Sequence, residues 1–485
     1  MRPLVFLLQL FPVLLAVLIP CDLSAAAPVT DQSSAPQHPK MLALQQAASG
    51  IFSSREQATL IDAIQTERLE QLLPPLMREQ NIDMWLLISR EYNEDPVLKT
   101  MLPASWMSAR RRTILVIYDA AATQHGPIQT VKQTPQPAST PTQQRFAIAR
   151  YDVGTLFKKA WDPAVEPDQW QALKQLIISK NPKRIGINQS SLFGHADGIT
   201  ATELALLNTT LGPKLSQKLV SAETLAVRYL ESRSPLELKH YPQIAAIGHT
   251  LIAAAFSNAV ITPGKTSTED VVWWLRDQTK ILKLDNWFHP TVSLQRAEQN
   301  QGSGDFSGKK ASDIIQQGDL LHVDFGISYL RLNSDQQQHA YVLKAGETDA
   351  PEPLKQALLQ GNQLQDLLTQ GFVDGISGNA LLKQSRDLAI KAGLKPSIYS
   401  HPLGLHGHGA GPAIGMWDAQ QGVAGSGDFL IRPNTAYSIE LNHEVKLEGW
   451  QQPVLIMLEE NGYFDGKVFK YLNNRQKSYH LIQSQ

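Results

Sequence analysis

The chain has 485 residues, 42% of them hydrophobic, enough to bury more than one sizeable core. Its 44 basic and 45 acidic residues leave a net charge of −1, so no single-sign field favours nucleic acid or an anionic membrane surface. Cys21 is the only cysteine, which excludes a disulfide framework and a thiolate-rich metal site.

Arg2 precedes a mostly apolar run, Leu4 to Ile19, and Ala25-Ala26-Ala27 follows with the small residues that signal peptidase favours. This predicts a secretory signal over 1–27 and a periplasmic or secreted protein. Gln9 and Pro12 interrupt the run, which is shorter than the roughly 20 apolar residues a spanning helix needs, so no stable membrane span is expected. Lipid attachment at Cys21 is the weaker option, because Pro20 is a poor fit for the small residue usually required there.

A polar leader is expected over 28–54. Helical spacing of Leu and Ile over Leu60 to Gln80 and a buried strand at Met84–Ile88 then open an α/β unit. Strand-like runs at Thr113–Tyr118 and Arg184–Asn188, with a helical pattern near Gln169–Ser179 between them, continue it, giving an N-terminal α/β domain over 55–224. Within it, Thr123 to Gln144 is rich in Thr, Gln and Pro and reads as a mobile surface insertion. Arg110-Arg111-Arg112 reads as a solvated strand entry rather than a phosphate site.

A second domain is expected over 225–475, with a tail at 476–485. Ser234-Pro235-Leu236-Glu237 is a capping box with Pro at the first helical position, and a second helix runs from about Glu269 to Leu282. Strands follow around Leu320–Ile327 and Ala340–Leu343. The order repeats with helices near Pro353–Gln370 and Gly378–Lys391 and strands at Ala436–Leu441 and Val454–Leu458, which suggests a pseudo-twofold.

Single acids interrupt these apolar strands. Asp324 stands between Val323 and Phe325, Asp335 follows in Asn333-Ser334-Asp335, Glu440 follows Ile439, and Glu459 follows Leu458. An unpaired buried carboxylate costs several kcal/mol, so each must be paired, protonated or metal-bound. Four such acids at equivalent places in two halves would converge around a twofold, a charge density that metal ions neutralise. Between them lies Ser400-His401-Pro402-Leu403-Gly404-Leu405-His406-Gly407-His408-Gly409-Ala410-Gly411-Pro412, whose imidazoles could approach the same point.

The order Asp, Asp, Gly-His-Gly-x-Gly, Ile-Glu and a last Glu resembles the ligand pattern of the pita-bread metallopeptidases: methionine aminopeptidase, prolidase, creatinase and, most nearly, the Xaa-Pro aminopeptidase-like branch. Gln336-Gln337-Gln338-His339-Ala340-Tyr341 and Arg432-Pro433-Asn434-Thr435 extend the likeness, and Glu67–Ile88 more weakly resembles the opening of a creatinase-like N-terminal domain. The resemblance implies that domain plus a catalytic pita-bread domain, a curved antiparallel sheet covered by helices. It further implies metal ligation by Asp324, Asp335, His408, Glu440 and Glu459, with Asp335 and Glu459 bridging two divalent ions. Glu440 and His408 become the catalytic residues of an exopeptidase that cleaves short peptides through a metal-bridging hydroxide.

Oxygen-dominated ligation favours Mn²⁺, with Co²⁺ or Zn²⁺ as alternatives. Family habit implies a homodimer. Two outer-shell histidines usual in the family are missing, since Gly415-Met416-Trp417-Asp418 and Gln295-Arg296-Ala297-Glu298 stand at those places; His289, His401 and His406 are candidate replacements for substrate binding. The altered shell leaves a creatinase-like small-molecule amide hydrolase, or an inactive metal- or peptide-binding homologue, as alternatives.

Overall fold

The computed structural model describes residues 38–122, 143–298 and 313–484. The expected signal segment and most of the expected insertion lie outside these residues. Part of the expected polar leader is a helix, Pro39–Ser49, whose Leu44 is buried among apolar residues of the second half of the chain.

The N-terminal part is built on a six-stranded sheet in the order Lys158–Lys159, Gln143–Ile148, Arg112–Asp119, Met84–Arg90, Ile185–Ile187, Leu219–Ser221. Met84–Arg90 is antiparallel to Arg112–Asp119 and parallel to Ile185–Ile187. Both faces of these central strands are covered, as their continuous apolar runs require. Leu86, Ile88, Ile114 and Val116 face the helices Gln169–Lys180 and Ala201–Ser216, whereas Trp85, Leu87, Leu115 and Ile117 face the helical stretch before Met84 and the helix Glu223–Glu231.

The C-terminal part holds a nine-stranded sheet. Its main path runs Thr291–Gln295, Leu320–Phe325, Gln336–Val342, Val454–Phe464, Thr435–Val445, Pro396–Ile398 from one edge to the other. The first three strands come from one half and the last three from the other, and the halves join where Gln337 pairs with Glu459. This is the pseudo-twofold the repeated element order predicts. The helix Pro235–Ala255 starts in a complete Ser234/Glu237 capping box, as the sequence signal requires, and Thr268–Ile281 is capped by Ser267. These helices pack on the first half, and Glu352–Gln370 with Gly378–Lys391 on the second. The expected tail also enters the sheet: His480–Ile482 pairs in parallel with Gln336–Val342, and Ile482 is fully buried.

Buried charge ties the two sheets together. The Arg68 guanidinium, 2% exposed, donates to Glu237 Oε2 at 2.7 Å and to the Ser232 carbonyl at 2.9 Å, while Arg233 meets the other Glu237 oxygen at 3.1 Å. Removing one partner strands the others in a dry interior, which costs far more than an exposed pair is worth. Arg68→Met is therefore expected to destabilise the protein by about 3–5 kcal/mol in urea unfolding. A loss below about 1 kcal/mol would place the network among the weak surface pairs.

Candidate metal centre

Register across the sheet creates the site. Asp324 pairs with Gln337, Gln337 with Glu459, and Glu459 with Glu440, so four side chains from four adjacent strands stand in one row on one face. Asp335 enters from the residue before Gln336–Val342. It is carried there by a tight hairpin, Ser328–Tyr329 against Leu332–Asn333, whose turn residues Leu330 and Arg331 hold φ of 56° and 63°. That strained conformation is held from both sides: Leu330 is buried, and Arg331 donates to the carbonyl of Leu102 at 2.7 Å. This six-residue hairpin takes up most of the 335 − 324 = 11 positions that separate the two aspartates.

Burial and mutual repulsion push the Asp324, Asp335 and Glu440 carboxyls well above the ordinary carboxylate range, burial being the larger cause and Glu459 the main repelling charge. Each glutamate is nevertheless oriented. Gln337 Nε2 donates to Glu440 Oε1 at 2.5 Å and to Glu459 Oε2 at 2.8 Å, and Ser438 Oγ donates to Glu459 Oε1 at 2.5 Å. Gln337 is held in turn by the buried imidazole of His322, whose Nε2 lies 2.9 Å from Gln337 Oε1. The aspartates are left open: Asp324 Oδ1 and Asp335 Oδ1 are buried without any hydrogen-bond partner.

His401, expected as a substrate residue, lies inside the ligand cluster. Its Nε2 is 3.8 Å from Asp335, 3.8 Å from Glu440 and 3.7 Å from Glu459, and is itself buried without a hydrogen-bond partner. Its Nδ1 sits 3.0 Å from the Pro402 carbonyl. That contact assigns the proton to Nδ1 and leaves an Nε2 lone pair aimed at the carboxylates, the tautomer a metal ligand needs. His408, expected as the histidine ligand, is the more exposed ring; it stands edge-on to His401 at 4.8 Å and to Trp287 at 5.1 Å.

Ligand atoms close enough to share an ion fall into three groups: Asp324, Asp335 and Glu459; His401, Glu440 and Glu459; and Asp335, His401 and His408. The geometry thus adds His401 to the expected ligands: His401 belongs to two groups and His408 to one. Asp335 and Glu459 each span two groups, as bridging ligands must. Open carboxylate oxygens, an unprotonated imidazole nitrogen and four acids without a counter-cation fit divalent metal ions.

The other candidate histidines stand elsewhere. His289 is exposed, with its Nδ1 2.9 Å from Arg276 and its ring beside Trp273. His406 stacks at 4.4 Å on His195, which comes from the N-terminal part of the chain, and burial pushes its pKa down to about 3. Gln337 lies in a motif of the family likeness but with no role assigned to it, and His322 and His195 carry no sequence signal of their own, because these roles depend on cross-strand register and on contact between distant segments. Glycine is required at Gly407, where a Cβ would come within 2.4 Å of the Trp287 ring.

The sign of the pH dependence follows from these carboxyls. Acids whose folded pKa is raised favour the fold below the ordinary carboxylate range, and that contribution is lost as pH rises through their folded pKa. The chelated protein is expected to lose stability steadily above about pH 4, and added Mn²⁺ to restore it increasingly toward neutral pH. A melting temperature of the chelated protein that does not change with pH would contradict this. His401→Ala should remove bound metal, while His408→Ala should retain most of it, measured by elemental analysis; the reverse result would return the ligand role to His408.

Comparison with known proteins agrees with this geometry. Residues 240–464 match the family model for metallopeptidase family M24. No curated protein matches the sequence. Among solved structures, the X-Pro aminopeptidase of Thermotoga maritima aligns over 86% of this chain and 99% of its own, with a TM-score of 0.58 and 15% identity. A putative aminopeptidase P from Bacillus anthracis aligns over 86% and 96%, with a TM-score of 0.57 and 11% identity, and an Xaa-Pro dipeptidase from Bacillus anthracis over 89% and 100%, with 0.54 and 16%. At such identities the structural likeness speaks for the fold. The ligand row and the pseudo-twofold sheet give this part of the chain the pita-bread fold, and residues 240–464 are similar in sequence to metallopeptidase family M24.

Proposed function

We propose that this protein is an exported, metal-dependent aminopeptidase that releases the first residue of short peptides, with an Xaa-Pro bond as its leading substrate. The observation that carries the reading is the convergence of Asp324, Asp335, His401, Glu440 and Glu459 on one point, with three of their ligand atoms buried and unpartnered. The family match and the likeness to an X-Pro aminopeptidase and an Xaa-Pro dipeptidase support the peptide bond and the proline preference. Export rests on the apolar run and the Ala25-Ala26-Ala27 site; the mature chain should then begin at Pro28.

Two divalent cations in this donor set, Mn²⁺ by its oxygen-dominated chemistry, would polarise a scissile carbonyl and lower the pKa of water. The chain's own groups divide the remaining work. Glu440 Oε1 is tied to Gln337, which leaves Oε2 facing His401 and the cluster, where it can take a proton and return it to the departing amine nitrogen. Gln337 and Ser438 hold Glu459 at both oxygens, so the centre keeps its shape through that transfer. His408 stands beside the cluster, braced by Trp287, where its ring can donate to a substrate carbonyl. His195 and His406 extend this imidazole wall into the N-terminal part of the chain.

Mature protein stripped of metal should release nothing from a panel of Xaa-Pro and Xaa-Ala peptides, and Mn²⁺ should restore release from the Xaa-Pro set. Glu440→Gln is expected to lower kcat by about 10²-fold or more, the scale of a lost proton-transfer group. Full loading with metal and no peptide release would sink the proposal in favour of a small-molecule amide hydrolase.

A further inference from the structure

The N-terminal part of the chain concentrates guanidinium groups where the fold does not ask for them. Arg90, Arg110, Arg111, Arg112 and Arg150 line one open cavity of about 600 Å³ at the end of the six-stranded sheet. Arg90 and Arg112 stand directly opposite each other on neighbouring strands, a like-charge pair that costs stability, and the buried Glu203 carboxylate offsets it by bonding both. Among the described residues no carboxylate forms an ion pair with Arg110, Arg111 or Arg150. Five guanidiniums therefore face only Glu203 and the cavity's own Glu91.

These groups are preorganised rather than loose. Arg110 lies over the Trp106 ring at 4.4 Å and near Tyr151 at 5.9 Å, Arg150 over Trp161 at 5.5 Å, and Arg112 over Trp170 at 5.1 Å. Stacking holds the forks of Arg110 and Arg150 in place and leaves their N–H edges free, whereas Arg112 directs its Nε and one Nη at Glu203. Arg111 adopts φ of 52°, a left-handed conformation costly for a side chain of its size, and the strained turn keeps three consecutive guanidiniums at the cavity. Arg90 and Arg112 anchor Glu203 to the sheet, but neither the sheet nor the metal centre uses Arg110, Arg111 or Arg150.

We propose that this cavity binds a polyanion through two or more phosphate groups. A surplus of three positive charges on rigid forks matches several phosphate oxygens at once, whereas a single carboxylate would leave most of the charge unanswered. The strand entry read from sequence as solvated thus becomes a recognition surface. The phosphates come either from a free polyphosphate compound or from a lipid headgroup, and the cavity's chemistry is shared by both.

The test uses the mature full chain with tripolyphosphate, titrated calorimetrically, and with vesicles of phosphatidylcholine with and without phosphatidic acid. Binding should weaken between about 20 and 200 mM salt, as screening requires. The double substitution Arg110→Gln with Arg150→Gln should weaken it at least tenfold while leaving the melting temperature unchanged, both side chains being exposed. Binding of tripolyphosphate that the substitutions abolish identifies a soluble ligand, and binding confined to acidic vesicles with the same loss identifies a lipid headgroup. No binding to either probe, or binding the substitutions do not affect, overturns the proposal. Peptidase activity enters none of these readouts, so they stand apart from the catalytic assignment.

Discussion

Four carboxylates brought together inside a protein repel one another and have lost most of the water that would have solvated them. Here Asp324, Glu440 and Glu459 are set side by side by strand register, with Asp335 delivered beside them by a strained hairpin. A protein can keep such a cluster only by protonating it or by supplying cations, and the open oxygens of Asp324 and Asp335 point to cations. Much of the surrounding structure answers to that constraint. Gln337 stands in the same row as an amide rather than a fifth acid, and donates to both glutamates without adding charge. Ser438 and His322 complete the frame.

The pseudo-twofold explains why the constraint can be met at all. Each half contributes a pair of long strands, and the seam between Gln337 and Glu459 brings the acids of one half against those of the other. The glycine-rich segment then supplies the imidazoles from outside the row. Its strand His401–Leu403 pairs with Thr435–Val445, so His401 is anchored opposite Ser438, two residues from Glu440. Close packing of Gly407 on Trp287 shapes the remainder of the loop and leaves His408 at its edge.

Much of this was legible in the sequence. The capping box at Ser234, helical apolar spacing and solitary acids in apolar strands all act locally, and the structure has the corresponding elements at nearly the expected residues. What was not legible depends on neighbours distant in sequence. Spacing within a motif points to His408, but what brings His401, seven positions earlier, into the same cluster is the pairing of His401–Leu403 with Thr435–Val445 and the Pro402 carbonyl against its Nδ1. The same applies to Arg110-Arg111-Arg112: a charge run looks solvated until Arg90 and Arg150 arrive from other strands and loops to share its cavity. The helix at Pro39–Ser49 escaped notice because its one buried side chain, Leu44, gives no periodic stripe.

The most direct test of the central claim is a crystal structure of the Mn²⁺-loaded mature protein with anomalous scattering measured at the manganese edge. Two peaks per chain are expected inside the cluster, one against Asp324 and one against His401 Nε2 and Glu440, with Asp335 and Glu459 between them. An absence of peaks there in a protein that retains manganese, or peaks ligated by His408 with His401 turned away, would contradict it.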